Sequence, residues 1–331
     1  MLRIGLVVDS SCDLSMAQIE DYGVRVLPSI LEFEGKAWVD DRSPDTTMAY
    51  YRGFIGDKAV AGRSVACSAA EIQEIFLREL VLDFERVLVI SACAELSETF
   101  QRATEASYAI LQGYRARREA GRQRGSFALR VLDSRSVCAG EAVLAGRALS
   151  LLFDEQQPFE KTRRAIREET GRVRCLLVPG DPWYLRHRGL NGEGAGLGRG
   201  DYALARMANL RPVLEVVGGQ RRTVARARGF HAACATAMQR ARDAIRQGLG
   251  APAVALSFGG DPRVIREMPA YLDLEAQAVA ARIDIHLAVM SAMMGVRFGP
   301  GAFSIAWLGA APTLQGVEQV SPRAGDRATA R

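Results

Sequence analysis

The sequence predicts an α/β protein in two domains: an N-terminal doubly wound parallel sheet and a C-terminal α+β domain with a mixed or antiparallel sheet. Two observations carry this. In the first half one design recurs three times, an apolar strand ending in small hydroxyl or acidic residues and followed by a helical pattern: "LRIGLVVDSSCDLS", "RVLVISACAELSETF" and "FALRVLDSRSVCAGEAV". In the second half that rhythm gives way to "PVLEVVGGQRRTVARARG", which reads as two strands about a Gly-Gly turn, an antiparallel hairpin.

The elements follow in order. Each early strand is rich in Val, Ile and Leu without strict alternation, as expected of strands covered on both faces. Ser68 precedes "AAEIQEIFLREL" with Glu71 three residues on, the spacing of a capping box. Ser97 precedes "ETFQRATEASYAIL" as a helix start. A helix near Phe159–Gly171 leads to the strand "VRCLLV". A long helix from Phe230 to about Gly248, the strand "AVALSF", another helix and a closing pair of strands complete the chain. This places a first domain at 1–166, a second at 167–311, and a disordered tail at 312–331, where the sequence turns small, polar and charged.

Composition narrows the function. The chain has 331 residues, 48 % of them hydrophobic and 24 % charged, as in a globular protein with a substantial core. No apolar run reaches the roughly 20 residues that span a bilayer. The opening "MLRIGLVVDSSCDL" meets Asp9 and Asp13 too early for a secretory signal, so it reads as a first strand and the protein as cytoplasmic. Six separated cysteines without a CxxC pair read as small buried thiols, with no metal site. The net charge of +5 is carried almost wholly by arginine. Its densest run, "YRARREAGRQRG", lacks interleaved aromatics and reads as a solvated helix end, not a nucleic-acid surface. Glycines 192, 194, 196, 198 and 200 alternate, yet no strand-to-helix context or Gly-Lys-Ser/Thr accompanies them, so they read as a loop.

No catalytic set assembles. The histidines are His187, His231 and His286, and none stands in a triad, nucleophile-elbow or zinc motif. What remains is a set of hydroxyls at strand ends, where ligands of such sheets sit, and Arg297 beside a Gly-Pro-Gly turn. These groups suit holding an anion. The alternative is a stand-alone hydrolase or transferase of a small anionic substrate, with Ser97 or Ser64 as nucleophile.

Five segments, in order, resemble motifs of the DegV family: "VVDSSCDLS", "RSVACSAAEIQEIF", "AELSETFQRA", "VLDSRSVCAG" and "VRFGPGAF". The resemblance runs to about residue 310. It implies a lipid-binding protein without catalytic activity or cofactor of its own, holding a long-chain fatty acid in a buried tunnel. It also implies a partner, an ATP-dependent kinase that converts the presented carboxylate to an acyl phosphate. By the same carry-over Ser64, Ser97 and Thr99 bind the carboxylate, Arg297 stands at the motif's histidine, and Gly299 and Gly301 close the turn over it. Asp9, Ser10, Ser11, Ser68, Asp133 and Ser134 belong to the supporting loops, and Arg226 and Arg228 face the kinase. The chain departs from the motifs at Arg297, at Glu98 in place of a glycine, at Phe100, and at Leu190 in place of an arginine. Glu98 is placed to pair with Arg297 or to favour its own helix dipole, and the methionines of "HLAVMSAMMG" to line the tunnel or pack the core.

Overall fold

A computed structural model describes residues 2–53, 58, 62–123, 125–188 and 208–311. The glycine-rich 192–200 stretch, Leu190 and the expected tail at 312–331 lie outside these residues.

Three sheets organise the described residues. Strands β1 (Ile4–Asp9), β2 (Arg25–Leu27), β6 (Arg86–Ser91) and β7 (Ala128–Asp133) form an all-parallel sheet in the order β2-β1-β6-β7. Alternate residues leave opposite faces of a strand. Val7, Val87 and Val89 therefore pack under helices Ala69–Ile75 and Thr99–Ala109, while Leu6, Val8, Leu88 and Ile90 face the opposite way. Both faces are covered, which is why these strands carry unbroken apolar runs.

Strands β8 (Val173–Val178), β9 (Leu210–Val217), β10 (Gln220–Arg228), β11 (Leu249–Phe258), β12 (Asp284–Val289) and β13 (Phe303–Gly309) form a mixed sheet in the order β10-β9-β8-β13-β11-β12. Only β11 and β12 pair in parallel. The hairpin falls where the Gly-Gly turn predicts it, with Val217 opposite Gln220 and both Gly218 and Gly219 at positive φ. Helix Phe230–Gln247 covers one face through Ala233, Ala237, Met238 and Ala241.

Helix Ala139–Leu149 fills the space between the two large sheets. It packs with Leu6 and Leu88 on one side and with Cys175, Leu177, Ala255 and Ala306 on the other, in one continuous core. Its sequence, AGEAVLAGRAL, is mostly small residues, so two sheets can approach one helix. A Cβ on Gly140 would lie 2.8 Å from the Cβ of Cys175. Helix Phe159–Glu169 runs through the expected boundary at 166/167 and leads into β8.

Two features differ from the sequence reading. A three-stranded antiparallel sheet, β3 (Ser29–Phe33), β4 (Lys36–Asp40) and β5 (Gly62–Ala66) in the order β4-β3-β5, occupies a stretch where no strands are predicted. In addition, the basic run after Tyr114 is not wholly solvated. Arg118 is buried and donates to the carbonyls of Val81 (2.6 Å) and Phe84 (2.9 Å), the end of a helical stretch whose last carbonyls have no partner within the helix. All six cysteines are buried. No helix among the described residues is long and apolar enough to cross a membrane.

Candidate anion-binding site

The loops at the carboxyl ends of the parallel strands are tied together by two aspartates in the same way. Asp9, at the end of β1, accepts from the backbone N–H of Ser11 (2.8 Å) and of Ala92 (2.7 Å). Asp133, at the end of β7, accepts from Arg135 N–H (2.7 Å) and Ala94 N–H (3.3 Å). Each carboxylate thus closes a turn on its own strand and grips the loop after β6. That loop, Ala92–Ser97, is the one that carries Leu96, Ser97 and Thr99 towards the site. Burial raises the pKa of both aspartates, against the pull of the same N–H groups.

The neighbouring hydroxyls hold the frame. Ser10 Oγ donates to Ser29 Oγ at 2.8 Å, joining β1 to the small sheet. Ser11 Oγ donates to the fully buried Glu141 at 2.6 Å. Burial and the nearby Asp9 push the Glu141 carboxyl well up. Ser134 Oγ closes a turn onto the carbonyl of Ser136 at 3.0 Å. Ser68 is exposed and forms the capping box with Glu71 that its spacing predicts, so it serves the helix Ala69–Ile75.

Arg297 is the centre of the arrangement. It lies in the last turn of helix Ala292–Phe298 and is only 6 % exposed. Its Nε donates to Ser64 Oγ (2.8 Å), and its Nη1 donates to the carbonyl of Leu96 (3.1 Å). Ser64 sits on β5 opposite Leu31. Ser97 and Thr99, both buried, pair through their hydroxyls at 2.9 Å directly after Leu96. Ser97 Oγ also accepts from Thr99 N–H at 3.3 Å, the contact of a cap one residue ahead of a helix that itself runs from Thr99 with Glu98 at its N-cap position. The structure therefore joins Arg297 to Ser64 and to the Leu96 carbonyl, one residue before the Ser97–Thr99 pair, from three elements distant in sequence.

No carboxylate of the described residues lies within ion-pair distance of Arg297. Asp9 favours its charge from farther away, while burial lowers its pKa. Glu98 does not supply the pair: it binds Arg102, one helical turn on, and Arg102 in turn donates to the carbonyl of Ala66 at 2.6 Å. The choice between pairing with Arg297 and serving its own helix is settled for the helix.

The Gly-Pro-Gly turn is fixed by close backbone approach. Gly299 and Gly301 both have positive φ (85° and 75°). Gly299 N–H donates to Gly295 O (2.8 Å), Gly301 N–H to Gly259 O (2.7 Å) and Ala302 N–H to Gly299 O (3.1 Å). A Cβ on Gly299 would collide with the ring of Tyr184, and one on Gly180 with the carbonyl of Pro300. The turn's N–H groups are thus spent within the protein, and what it offers a ligand is shape. An open groove of about 790 Å³ has a lining of both signs, with Glu32, Glu34, Lys36, Lys58, Arg63, Trp183 and Arg188 among its residues, and the turn and Arg297 do not line it. The Arg188 guanidinium lies 5.3 Å from the Trp183 ring and 5.4 Å from that of Tyr184.

The alternative reading needs a base at Ser64 or Ser97. Ser64 instead accepts from a guanidinium, Ser97 pairs with Thr99, and no histidine of the described residues bonds either hydroxyl. Arg226 and Arg228 lie exposed, two residues apart and so on one face of β10, the edge strand of the mixed sheet. The methionines of "HLAVMSAMMG" are buried, Met290 and Met294 in the central core and Met293 against Leu31, Phe33 and Tyr51. Sequence reasoning missed Arg42, Asp40 and Glu141, because buried charge on an unpredicted strand or inside a helix has no local pattern.

Fold and site together define an α/β protein with a parallel and a mostly antiparallel sheet about a shared central helix, with a buried guanidinium where the strand ends meet a glycine turn. The sequence profile described as "Uncharacterised protein, DegV family" matches residues 3–310, and the chain belongs to the DegV family. It is 28 % identical over 304 residues to a DegV domain-containing protein of Xanthomonas axonopodis pv. citri, covering 92 % of this chain and 96 % of that one. Its fold is similar to that of a fatty acid (stearic acid)-binding protein from Eubacterium ventriosum, with TM-score 0.74, 18 % identity, and 93 % and 98 % of the two chains covered. A DegV family protein from Thermus thermophilus, described by its fatty acid binding, gives TM-score 0.66 at 21 % identity over 93 % of this chain and all of the other.

Proposed function

We propose that the chain binds a long-chain fatty acid, with the carboxylate at Arg297, Ser64, Ser97 and Thr99, between segments 1–166 and 167–311. The observation that carries this is the state of Arg297, a guanidinium only 6 % exposed that donates to a hydroxyl and a carbonyl. A buried charge is tolerated when it is paired, and here the pairing anion comes from a ligand. An apolar cluster of Leu31, Phe33, Tyr50, Tyr51, Met293 and Val296 adjoins the head-group residues, with Leu31 opposite Ser64 and Val296 next to Arg297, and its residue types suit an acyl chain. Each buried methylene contributes roughly 0.8 kcal/mol. The solved relatives described as fatty-acid-binding support the same class of ligand.

In this reading the protein is a carrier and not an enzyme, and it presents the carboxylate to a separate ATP-dependent kinase for acyl phosphate formation. Arg226 and Arg228 serve as the surface that the kinase meets. Arg211, in the strand beside them, donates to Gly180 O at 2.8 Å, and Gly180 abuts the turn. The test is denaturing mass spectrometry of lipid extracted from protein purified from a bacterial host. Wild type should carry close to one acyl chain per protein, and Arg297→Met should retain the fold but bind fatty acid about a hundredfold more weakly, the scale of a charge-assisted contact. Wild type with no acyl chain, or Arg297→Met with unchanged affinity, would sink the proposal.

A further inference from the structure

Helix Ala292–Phe298 is two turns long, so what holds its start also aims its end. Two buried carboxylates hold that start. Ser291 N–H donates to Asp13 Oδ1 at 2.9 Å, and Met293 N–H donates to Asp40 Oδ2 at 2.7 Å. Met294 N–H is met by Ser291 Oγ at 3.2 Å. Arg42 completes the cluster: its Nη1 lies 3.3 Å from Asp13 Oδ1, its Nη2 donates to Val289 O (3.0 Å) and Leu14 O (3.3 Å), and its N–H donates to Asp40 Oδ1 (3.3 Å). Asp40 and Arg42 come from the end of the small sheet, Asp13 from the loop after β1, and the helix from the end of the chain. Met293 stands one turn before Arg297, on the same side of the helix.

We propose that Asp40 is a positioning residue for Arg297: ionised, it fixes the start of the helix so that the guanidinium faces the head-group site, and protonated, it loosens that hold. The proposal rests on the fatty-acid reading for its ligand, but not for its mechanism. Two carboxylates and one guanidinium share a buried cluster, so one carboxylate lacks a full counter-charge. Burial, aided by Asp13, raises Asp40 to about 6 against the opposing effects of Arg42 and of the N–H groups of Met293 and Arg42. The other groups facing it are the phenols of Tyr50 and Tyr51, both raised and so neutral near pH 6. Asp40 is therefore ionised above about pH 6 and protonated below it, and acyl affinity falls as the pH drops through that value.

The test compares wild type with Asp40→Asn, which keeps the shape and removes the charge. Displacement of a fluorescent fatty acid is measured from pH 5 to 8, and the Arg297 Nε–H resonance is followed over the same range in ligand-free protein. The variant should bind about fivefold more weakly at pH 7.5. The ratio of the two affinities should collapse towards one below pH 6, which removes the ligand's own titration from the comparison. The Nε–H resonance should step near pH 6 in wild type alone. An identical pH profile in both proteins, or a flat Nε–H resonance in wild type, overturns the proposal. If neither protein binds fatty acid while the resonance still steps in wild type, the positioning role stands and the fatty-acid reading fails. If Asp40→Asn does not fold, the wild-type resonance alone decides.

Discussion

Arg42 and Arg297 are buried to nearly the same degree, 5 % and 6 % exposed, yet their surroundings are opposite. Arg42 has Asp13 at 3.3 Å and Asp40 hydrogen-bonded to its own backbone. Arg297 has a serine hydroxyl and a carbonyl, with Asp9 acting only through space. The first is a set closed for the guanidinium's charge, with Asp13 as its counter-ion, although its buried Nε has no hydrogen-bond partner. The second has no carboxylate within ion-pair distance among the described residues, and on the proposed reading that difference separates a residue that holds the fold from one that holds a ligand. Arg118 is a third case, a guanidinium spent on the carbonyls at a helix end.

The largest effect should come from breaking the closed set. Arg42→Met leaves Asp13 and Asp40 buried without their shared cation, which costs about 3–5 kcal/mol. Urea unfolding would show it as a loss of that size. Arg297→Met should instead change stability by less than about 1 kcal/mol, or raise it, because it removes a buried charge rather than orphaning one. Equal losses in the two variants would erase the contrast between them.

A pH series sharpens the same comparison. Asp40 has its folded pKa raised from 3.8 to about 6, so its stability contribution is fully present below the unfolded value and is lost as pH rises through 6. Wild type should lose about 3 kcal/mol relative to Asp40→Asn between pH 4 and pH 7. The molecule is then more stable with Asp40 protonated and better aimed with it ionised, the usual tension at a site where function opposes stability. A difference that stays constant across the range would remove Asp40 from the account.

Much of this was legible in the sequence, for reasons that are local. Strands covered on both faces read as apolar runs, the Gly218–Gly219 hairpin has its own turn chemistry, and the Ser68–Glu71 spacing names a capping box. Arg297 stands out by its own place before the Gly-Pro-Gly turn, whereas Ser64, Ser97 and Thr99 are assigned to the carboxylate only through the family motifs. The small sheet β4-β3-β5 escaped because its strands are short and two carry exposed polar residues, as in Lys36–Asp40 and Gly62–Ala66. Arg42 and Asp40 escaped with it. Their meaning depends on Asp13 and Ser291, far away in the chain and joined only by folding.

The smallest effect separates two serines of one motif segment, "RSVACSAAEIQEIF". Ser64 accepts from Arg297, whereas Ser68 accepts from Glu71 N–H (3.2 Å) and caps a helix. Ser68→Ala should cost about 1 kcal/mol of stability, the usual value of a lost cap, and leave acyl affinity unchanged. Ser64→Ala removes one hydrogen bond to a charged group at a half-buried position. It should weaken fatty-acid binding by about fivefold to tenfold while the unfolding midpoint stays put. The freed Nε turns towards the ligand in that variant, so the loss should be smaller than that of Arg297→Met. If Ser68→Ala weakens binding as much as Ser64→Ala does, the two hydroxyls act as one unit and the division between cap and site is wrong.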